Sequence, residues 1–544
     1  MVVYIFIIAI IALCLGYRFY GSYATKMIQI DDKNITPAHT MNDNIDYVPA
    51  KPVILLGHHF SSIAGAGPVM GPVLAALYFG WLPAVLWIVL GTIFIGGIHD
   101  FTTLVASVRH EAKSIPEICR KYINHTTYNI FLIFVWLTLV YIILVFTDIT
   151  ANTFCESPEV ATSSMIYIVL ALIFGYTINK LRVPLVIATI FALFVLFGGL
   201  YIGTIYPMNM TSVAGSIGLS LNQFWCLLLF VYCVAASVTP VWILLQPRDY
   251  LSSYLLYATL LGGTLGIIFG GATIAYPAFI GWQTAEGPLF PILFITIACG
   301  ACSGFHGIIS SGTTAKQLNK ETDAKAVGYG SMAIEAVVAL LALTTVVILP
   351  QSSEILRKPP IQVFAGGMGQ LLSKIGISAK YGELFAFLAL STFVLTSLDT
   401  GTRLGRYLVQ EFFNMKKNAL NMFIATMITL IIPIVFTFIT LHDANGNPTP
   451  SWKAIWPVFG ATNQLLAALA LFSVLSWLKM SGMKYKYVLF PAIFMIIASF
   501  YALGLLFFNN PSYIIKGIAV LLSILAIIVV CQICRIFFVK NQNN

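Results

Sequence analysis

His58 and His59 stand side by side in the stretch GHHFSSIAGAGPVMGP (57–72), and His99 stands beside Asp100 in GGIHDFTTL (96–104). His306, Glu335, Asp148 and Asp399 are further ionisable residues set within long apolar runs. A charge at membrane depth is costly unless it meets a partner or a cavity, so these residues point to proton relay, cation coordination or a lock between helices. Asp148 and Glu335, each alone in its run, fit a structural role equally well. The stretch STFVLTSLDTGTRLGR (391–406) adds Thr396, Ser397, Asp399, Thr400 and Thr402, whose oxygens suit a hard cation such as sodium. The competing account is capping of a helix end, with Asp399 paired to Arg403 or Arg406.

The elements that must position these groups follow from composition. The chain has 544 residues, 59% hydrophobic and only 9% charged, with a mean hydropathy of +0.90; soluble proteins carry about 25% charged residues. About fifteen runs approach the roughly 20 apolar residues that a membrane crossing needs. A stretch such as PAVLWIVLGTIFIGGI (83–98) lacks the two-residue alternation of a barrel strand, so the crossings are helices. The expected fold is an all-α polytopic membrane protein, one transmembrane domain over 1–544. Its first run, VVYIFIIAIIALCLG, has no preceding Lys or Arg and no small-x-small cleavage site, so it reads as a retained helix ending near 16.

The net charge of +9 is a matter of topology and not of a nucleic-acid partner. With the N terminus outside and the C terminus cytoplasmic, Lys and Arg gather on the inner side, Arg248, Lys417 and Lys540 among them. The outer side keeps Arg357, Lys358, Lys374, Lys380, Lys453 and Lys516, four of them in an outer loop at 350–382. The pairs Cys299/Cys302 and Cys531/Cys534 lie inside expected membrane helices, which argues against zinc or redox chemistry. No His-Glu-x-x-His, Gly-x-Ser-x-Gly or Walker motif is present, so neither an enzyme nor a cofactor is expected.

Two helices are interrupted by small and polar residues: 52–79, and 288–314 with the core ACGACSGFHGIISSGTTAKQ (298–317). Seven helices separate their starts, an odd number, so they cross in opposite directions as an inverted repeat does. Their residue alignment stays open: His59-x5-Gly65 matches His306-x5-Gly312, whereas pairing Pro52 with Pro291 sets Gly65 against Gly304. Paired broken helices point to the binding site of a secondary transporter. Broken backbone survives in a membrane only beside protein or a wet cavity. Gly65 and Gly67 permit the turn, and Pro68 opens a half-helix whose amide end can receive a carboxylate; close helix packing is the plainer account of the glycines. Candidate substrate-binding residues are His59, Ser61, Ser62, Gly65 and Gly67 from the first break, and Gly304, His306, Ser310 and Ser311 from the second. Candidate ion-coupling residues are His99, Asp100, Thr396, Ser397 and Asp399. Asn463 and Gln464 are expected to hydrogen-bond across helices.

Six ordered blocks, at 36–76, 99–104, 244–255 (LLQPRDYLSSYL), 294–318, 396–407 and 459–471 (FGATNQLLAALAL), closely resemble the carbon starvation protein A family of bacterial inner-membrane transporters. The resemblance implies symport of peptides or pyruvate coupled to H+ or Na+, on a LeuT-like five-plus-five inverted repeat in which 52–79 and 288–314 are the broken helices. Thr396 and Ser397 then resemble a hydroxyl pair that helps form a sodium site. Larger family members have a longer C-terminal half. A second reading is a transporter-like nutrient sensor, against which stands the lack of a kinase or long output segment after the last helix; a channel is a third. Proton coupling draws on Asp100, His59 and His306, and sodium coupling on Thr396 and Ser397. The residues choose neither between the ions nor between peptide and pyruvate.

Overall fold

In hydrocarbon each backbone amide and carbonyl needs a partner inside the protein, and a helix supplies it within one segment. The computed structural model describes residues 2–539 apart from 44–46, 241–242, 417 and 443–447; Lys417 and Lys540 lie outside the described residues. In chain order its principal helices are α1 (Val2–Ile28), the bent pair α2 (Pro52–Ile63) and α3 (Gly67–Phe79), α4 (Trp81–Val108), the short α5 (Ile115–Tyr122) and α6 (His125–Glu156). Next come α7 (Pro158–Asn179), α8 (Leu185–Ile205), α9 (Leu221–Val238), α10 (Leu245–Phe269), α11 (Leu289–Thr296), α12 (Gly304–Gly312) and α13 (Glu321–Val347). The last are α14 (Pro360–Ser373), α15 (Ala379–Phe412), α16 (Ala419–Phe436), α17 (Ser451–Met480), α18 (Lys486–Asn509) and α19 (Tyr513–Val539).

Thirteen helices among the described residues are long and apolar enough to cross a membrane, and the α2/α3 pair, bent by 48°, makes a further crossing. The chain is a multi-pass membrane protein. The second interruption divides 289–312 into α11, the single turn Ala298–Ala301 and α12. Three boundaries differ from the sequence reading. Helix α1 continues past 16 to Ile28 through a π-helical stretch, Gly16–Gly21. The 350–382 loop contains α14, whose face with Val363, Phe364, Met368 and Leu371 is buried. Helix α10 begins at Leu245 and not near 252, which places Arg248 and Asp249 inside a helix, 0% and 1% exposed, and not in a cytoplasmic loop. Pro247 sits in the first turn, where its missing N–H costs nothing.

The packing is reciprocal, as an inverted repeat requires. The long helices α6 and α15 pack on each other, α6 also on α9 and α17, and α15 also on α16 and α10. Half-helix α3 packs on α13 as α12 packs on α4, and α2 on α10 as α11 on α17. The short α5 precedes and contacts α6 as α14 precedes and contacts α15. Thus 52–79, α4, α6, α9 and α10 correspond to 289–312, α13, α15, α16 and α17, while α7 and α8 form an inserted hairpin. The most apolar windows of α17 and α15 are 100% and 94% buried, against 28% for α1, α8 and α16, so α15 and α17 form the centre and the others the lipid-facing rim.

Glycine sets the distance between the central elements. A Cβ on Gly304 would stand 2.5 Å from both the Asn463 carbonyl oxygen and the Ala467 amide of α17, and one on Gly71 would stand 2.4 Å from the Thr296 carbonyl oxygen. Gly304→Ala is therefore expected to push α12 off α17, costing about 1–3 kcal/mol and lowering the melting temperature in detergent. Gly504→Ala, where nothing lies within 4 Å, should leave the melting curve unchanged.

Candidate functional site

The first break is a single tight turn. Helix α2 ends at Ile63, and Ala64 (φ −76°, ψ 69°) turns the chain so that the Gly65 N–H donates to the Ile63 carbonyl at 2.8 Å, an inverse γ-turn. Helix α3 then starts at Gly67 with Pro68 in its first turn and no side-chain cap. The turn lies against α15: a Cβ on Gly65 would come within 2.5 Å of Ser397 Oγ. The Ser397 and Thr396 hydroxyls donate back to the Phe393 and Thr392 carbonyls at 3.2 and 3.0 Å. Ser61 and Ser62 both donate to the His58 carbonyl, at 3.1 and 2.8 Å.

The second break is an extended dipeptide, Cys302 (φ −166°, ψ 119°) and Ser303 (φ −124°, ψ 128°). Asn463 of α17 satisfies it. Its Oδ1 accepts from the Phe305 N–H at 3.0 Å, and its amide nitrogen lies 3.0 Å from Ser303 Oγ and 3.2 Å from Cys299 Sγ. Gln464 donates to the Phe294 carbonyl at 2.6 Å, closing the end of α11. The amino end of α12 is thus capped by a side chain of α17, whereas that of α3 has no side-chain cap. Gly304 is buried against the α17 backbone, and Gly67 against Cys299 (a Cβ would be 2.4 Å from its Sγ), so the two broken helices cross at their breaks.

Around the second break lies a buried acid–histidine array. Asp100 accepts from two rings: Oδ1 lies 2.7 Å from His99 Nδ1, and Oδ2 lies 2.8 Å from His306 Nδ1. The other nitrogen of His306, Nε2, is 3.2 Å from Glu335 Oε2. All four side chains are 0% exposed. The array ties α4, α12 and α13 together, and a π-helical stretch at Thr92–Gly96 precedes the His99–Asp100 pair in α4, a device common at functional positions. His59 Nδ1 meets Thr314 Oγ1 at 2.8 Å, and its Nε2 has no partner among the described residues. Ser310 Oγ is buried and likewise unpartnered, whereas Ser311 donates to the Gly307 carbonyl at 2.8 Å.

Asp399 is elsewhere. Its carboxylate contacts the Arg248 guanidinium and accepts from the Tyr232 hydroxyl at 2.8 Å; Arg248 also contacts Tyr232. The expected partner Arg403 instead donates to the Ala236 and Thr239 carbonyls at 2.5 and 2.7 Å. The candidate ion-coupling residues therefore fall in three places: His99 and Asp100 with His306, Thr396 and Ser397 at the first break, and Asp399 with Arg248. From sequence, Arg248 falls in an inner loop and Asp249 goes unnoticed because the apolar run of α10 begins only near 252; the dipeptide's place between two apolar runs is the available signal. Glu335 gains a partner that its solitary position did not reveal. Asp148 is structural, accepting from the Trp452 N–H at 2.8 Å and so capping α17.

Cavities approach the crossing from both ends. One of about 460 Å³ is lined by Ser311, Gly312, Lys113, Lys316, Glu117 and Glu411 among others; one of about 120 Å³ at the opposite end is lined by Met70, Asn152, Glu156 and Trp452 among others.

Two discontinuous helices crossed at their breaks, an ionisable array buried beside them and cavities from either end define a membrane protein of the secondary-transporter class. The chain belongs to the carbon starvation protein CstA family, whose profile matches residues 1–356 and 351–502. It is 31% identical to a peptide transporter CstA of Campylobacter jejuni, over 92% of this chain and 79% of that one. It is 30% identical to the pyruvate/proton symporter BtsT of Escherichia coli, over 91% and 80%. Among solved structures it is similar to MhsT in complex with L-phenylalanine, with 14% identity, 88% and 99% coverage and a TM-score of 0.48.

Asn463→Ala would strip the α12 cap. A loss of about 1 kcal/mol is expected, read as a lower melting temperature together with reduced substrate flux.

Proposed function

We propose that this chain is a proton-coupled secondary transporter that imports a small carboxylate-bearing nutrient, pyruvate or a peptide, across the bacterial inner membrane by alternating access. In this reading the N terminus lies outside and the C terminus in the cytoplasm, so the larger cavity opens inward and the smaller one outward. The observation that carries it is the Asp100–His306–Glu335 array. Both nitrogens of one imidazole face carboxylates, at 2.8 and 3.2 Å, and the three residues come from α4, α12 and α13, elements of both repeats. A charged His306 holds these elements together. Without its proton, two buried acids face a neutral ring, and the arrangement loses its main attraction. Protonation thus biases which arrangement of α12 is stable, which a coupling ion must do to drive a cycle.

Sodium is less well served. The Thr396 and Ser397 hydroxyls are turned to their own helix, and the nearby carboxylate of Asp399 is already neutralised by Arg248. Among the described residues no group of three His, Cys, Asp or Glu side chains is arranged to hold a metal ion. The relative named a pyruvate/proton symporter agrees with the choice of ion. For the substrate, the uncapped amino end of α3 offers amides and a positive dipole end to a carboxylate. His59 and Ser310, each with a free buried polar atom, flank the same crossing, and Ser311 lines the inner cavity.

The test is uptake of pyruvate and of a short peptide into proteoliposomes, with proton and sodium gradients imposed separately. Accumulation should follow the proton gradient alone. Asp100→Asn and His306→Gln should reduce it to the level reached without a gradient while the folded protein still exchanges substrate. Sodium-driven uptake, or coupling kept at the wild-type level in both variants, would refute the assignment.

A further inference from the structure

His58 and His59 are neighbours on α2 but face different partners. His59 meets Thr314, whereas His58 Nδ1 lies 3.6 Å from Asp249 Oδ2 on α10. Asp249 is 1% exposed, and among the described residues neither of its oxygens accepts a hydrogen bond. The charged and titratable groups around it are these. Arg248, on the same helix, holds Nη2 at 3.8 Å from Asp249 Oδ1 but spends its other side on Asp399 of α15. Tyr232 of α9 donates to Asp399, Tyr167 of α7 donates to the Arg248 carbonyl at 2.5 Å, and Arg403 of α15 is bound to the Ala236 and Thr239 carbonyls. His58, 16% exposed, is the one group facing Asp249 from α2.

A buried carboxylate without a hydrogen-bond donor is costly, and the cost disappears if it takes up a proton or if the imidazole beside it does. The 3.6 Å spacing also selects the ligand. Two ligands alone do not make a metal site, and among the described residues no group of three His, Cys, Asp or Glu side chains is arranged to hold a metal ion. A substrate ammonium donating to both would hold them farther apart than 3.6 Å, since each hydrogen bond spans about 2.8 Å. A shared proton needs only a small closure. The pair bridges the half-helix α2 and its neighbour α10, and α2 belongs to a discontinuous helix, so relative movement of the two would make and break it.

We propose that Asp249 with His58 is a second proton-binding site, separate from the Asp100 array, so that each cycle carries two protons with one substrate. The inference rests on the proton-coupled reading above. It is tested by the proton-to-substrate ratio of the full-length protein in proteoliposomes, obtained from the pH difference that just balances an imposed pyruvate gradient with the membrane potential clamped at zero. The wild type should give two, and Asp249→Asn and His58→Gln should each give one, with uptake still driven by protons. Gel filtration and melting curves report whether each variant folds, and either variant suffices. A wild-type ratio of one, or a ratio unchanged in the variants, overturns the second site and leaves the first standing. Pyruvate and peptide flux with no accompanying proton movement would instead overturn the coupling reading itself.

Discussion

A helix interrupted inside a membrane frees backbone groups that water cannot reach, and the rest of this structure is arranged around supplying them with partners. The first break closes on itself through the Gly65 to Ile63 hydrogen bond; the second is closed from outside by Asn463 and Gln464. Helix α17 presents those two amides at the right depth because it is wholly buried at the centre, and glycines at 71 and 304 let backbone approach backbone. The difference between the closures has a functional consequence. The end of α12 is capped by a side chain of α17, while the end of α3 has no side-chain cap, which is why the proposed substrate carboxylate is assigned to it.

Charge is organised by the same crossing. The Asp100 array sits by the second break and joins α12 to the surrounding bundle, while Arg248, Asp399 and Tyr232 join α10, α15 and α9. Removing one partner from a buried ion pair typically costs about 3–5 kcal/mol, so both clusters hold helices as well as charge. Arg248 brings a permanent positive charge to a carboxylate that otherwise suits a metal cation.

Much of this was legible in the residues. The run lengths indicated the crossings, and the Gly-Pro-Ser interruptions at 57–72 and 298–317 marked both breaks, because loss of helix propensity within an apolar run is a local property. The His99–Asp100 pair was visible for the same reason. Long-range pairing was not. Nothing local joins Glu335 to His306 or Asp399 to Arg248, and Arg248 reads as a loop residue because an Arg-Asp pair after Pro247 resembles a helix boundary in every way except its buried surroundings. Gly304 read as a ligand-facing residue when its contacts are with α17; small residues serve cavities and tight packing alike, and only the neighbour distinguishes them.

The central claim is that substrate binding and protonation of the buried array are linked. The most direct measurement is proton exchange by the purified, detergent-solubilised protein when substrate is added in weak buffer with a pH-indicating dye. The account predicts net proton uptake on adding pyruvate or peptide near neutral pH, reduced in Asp100→Asn. Saturable substrate binding with no proton exchange across the pH range would contradict it.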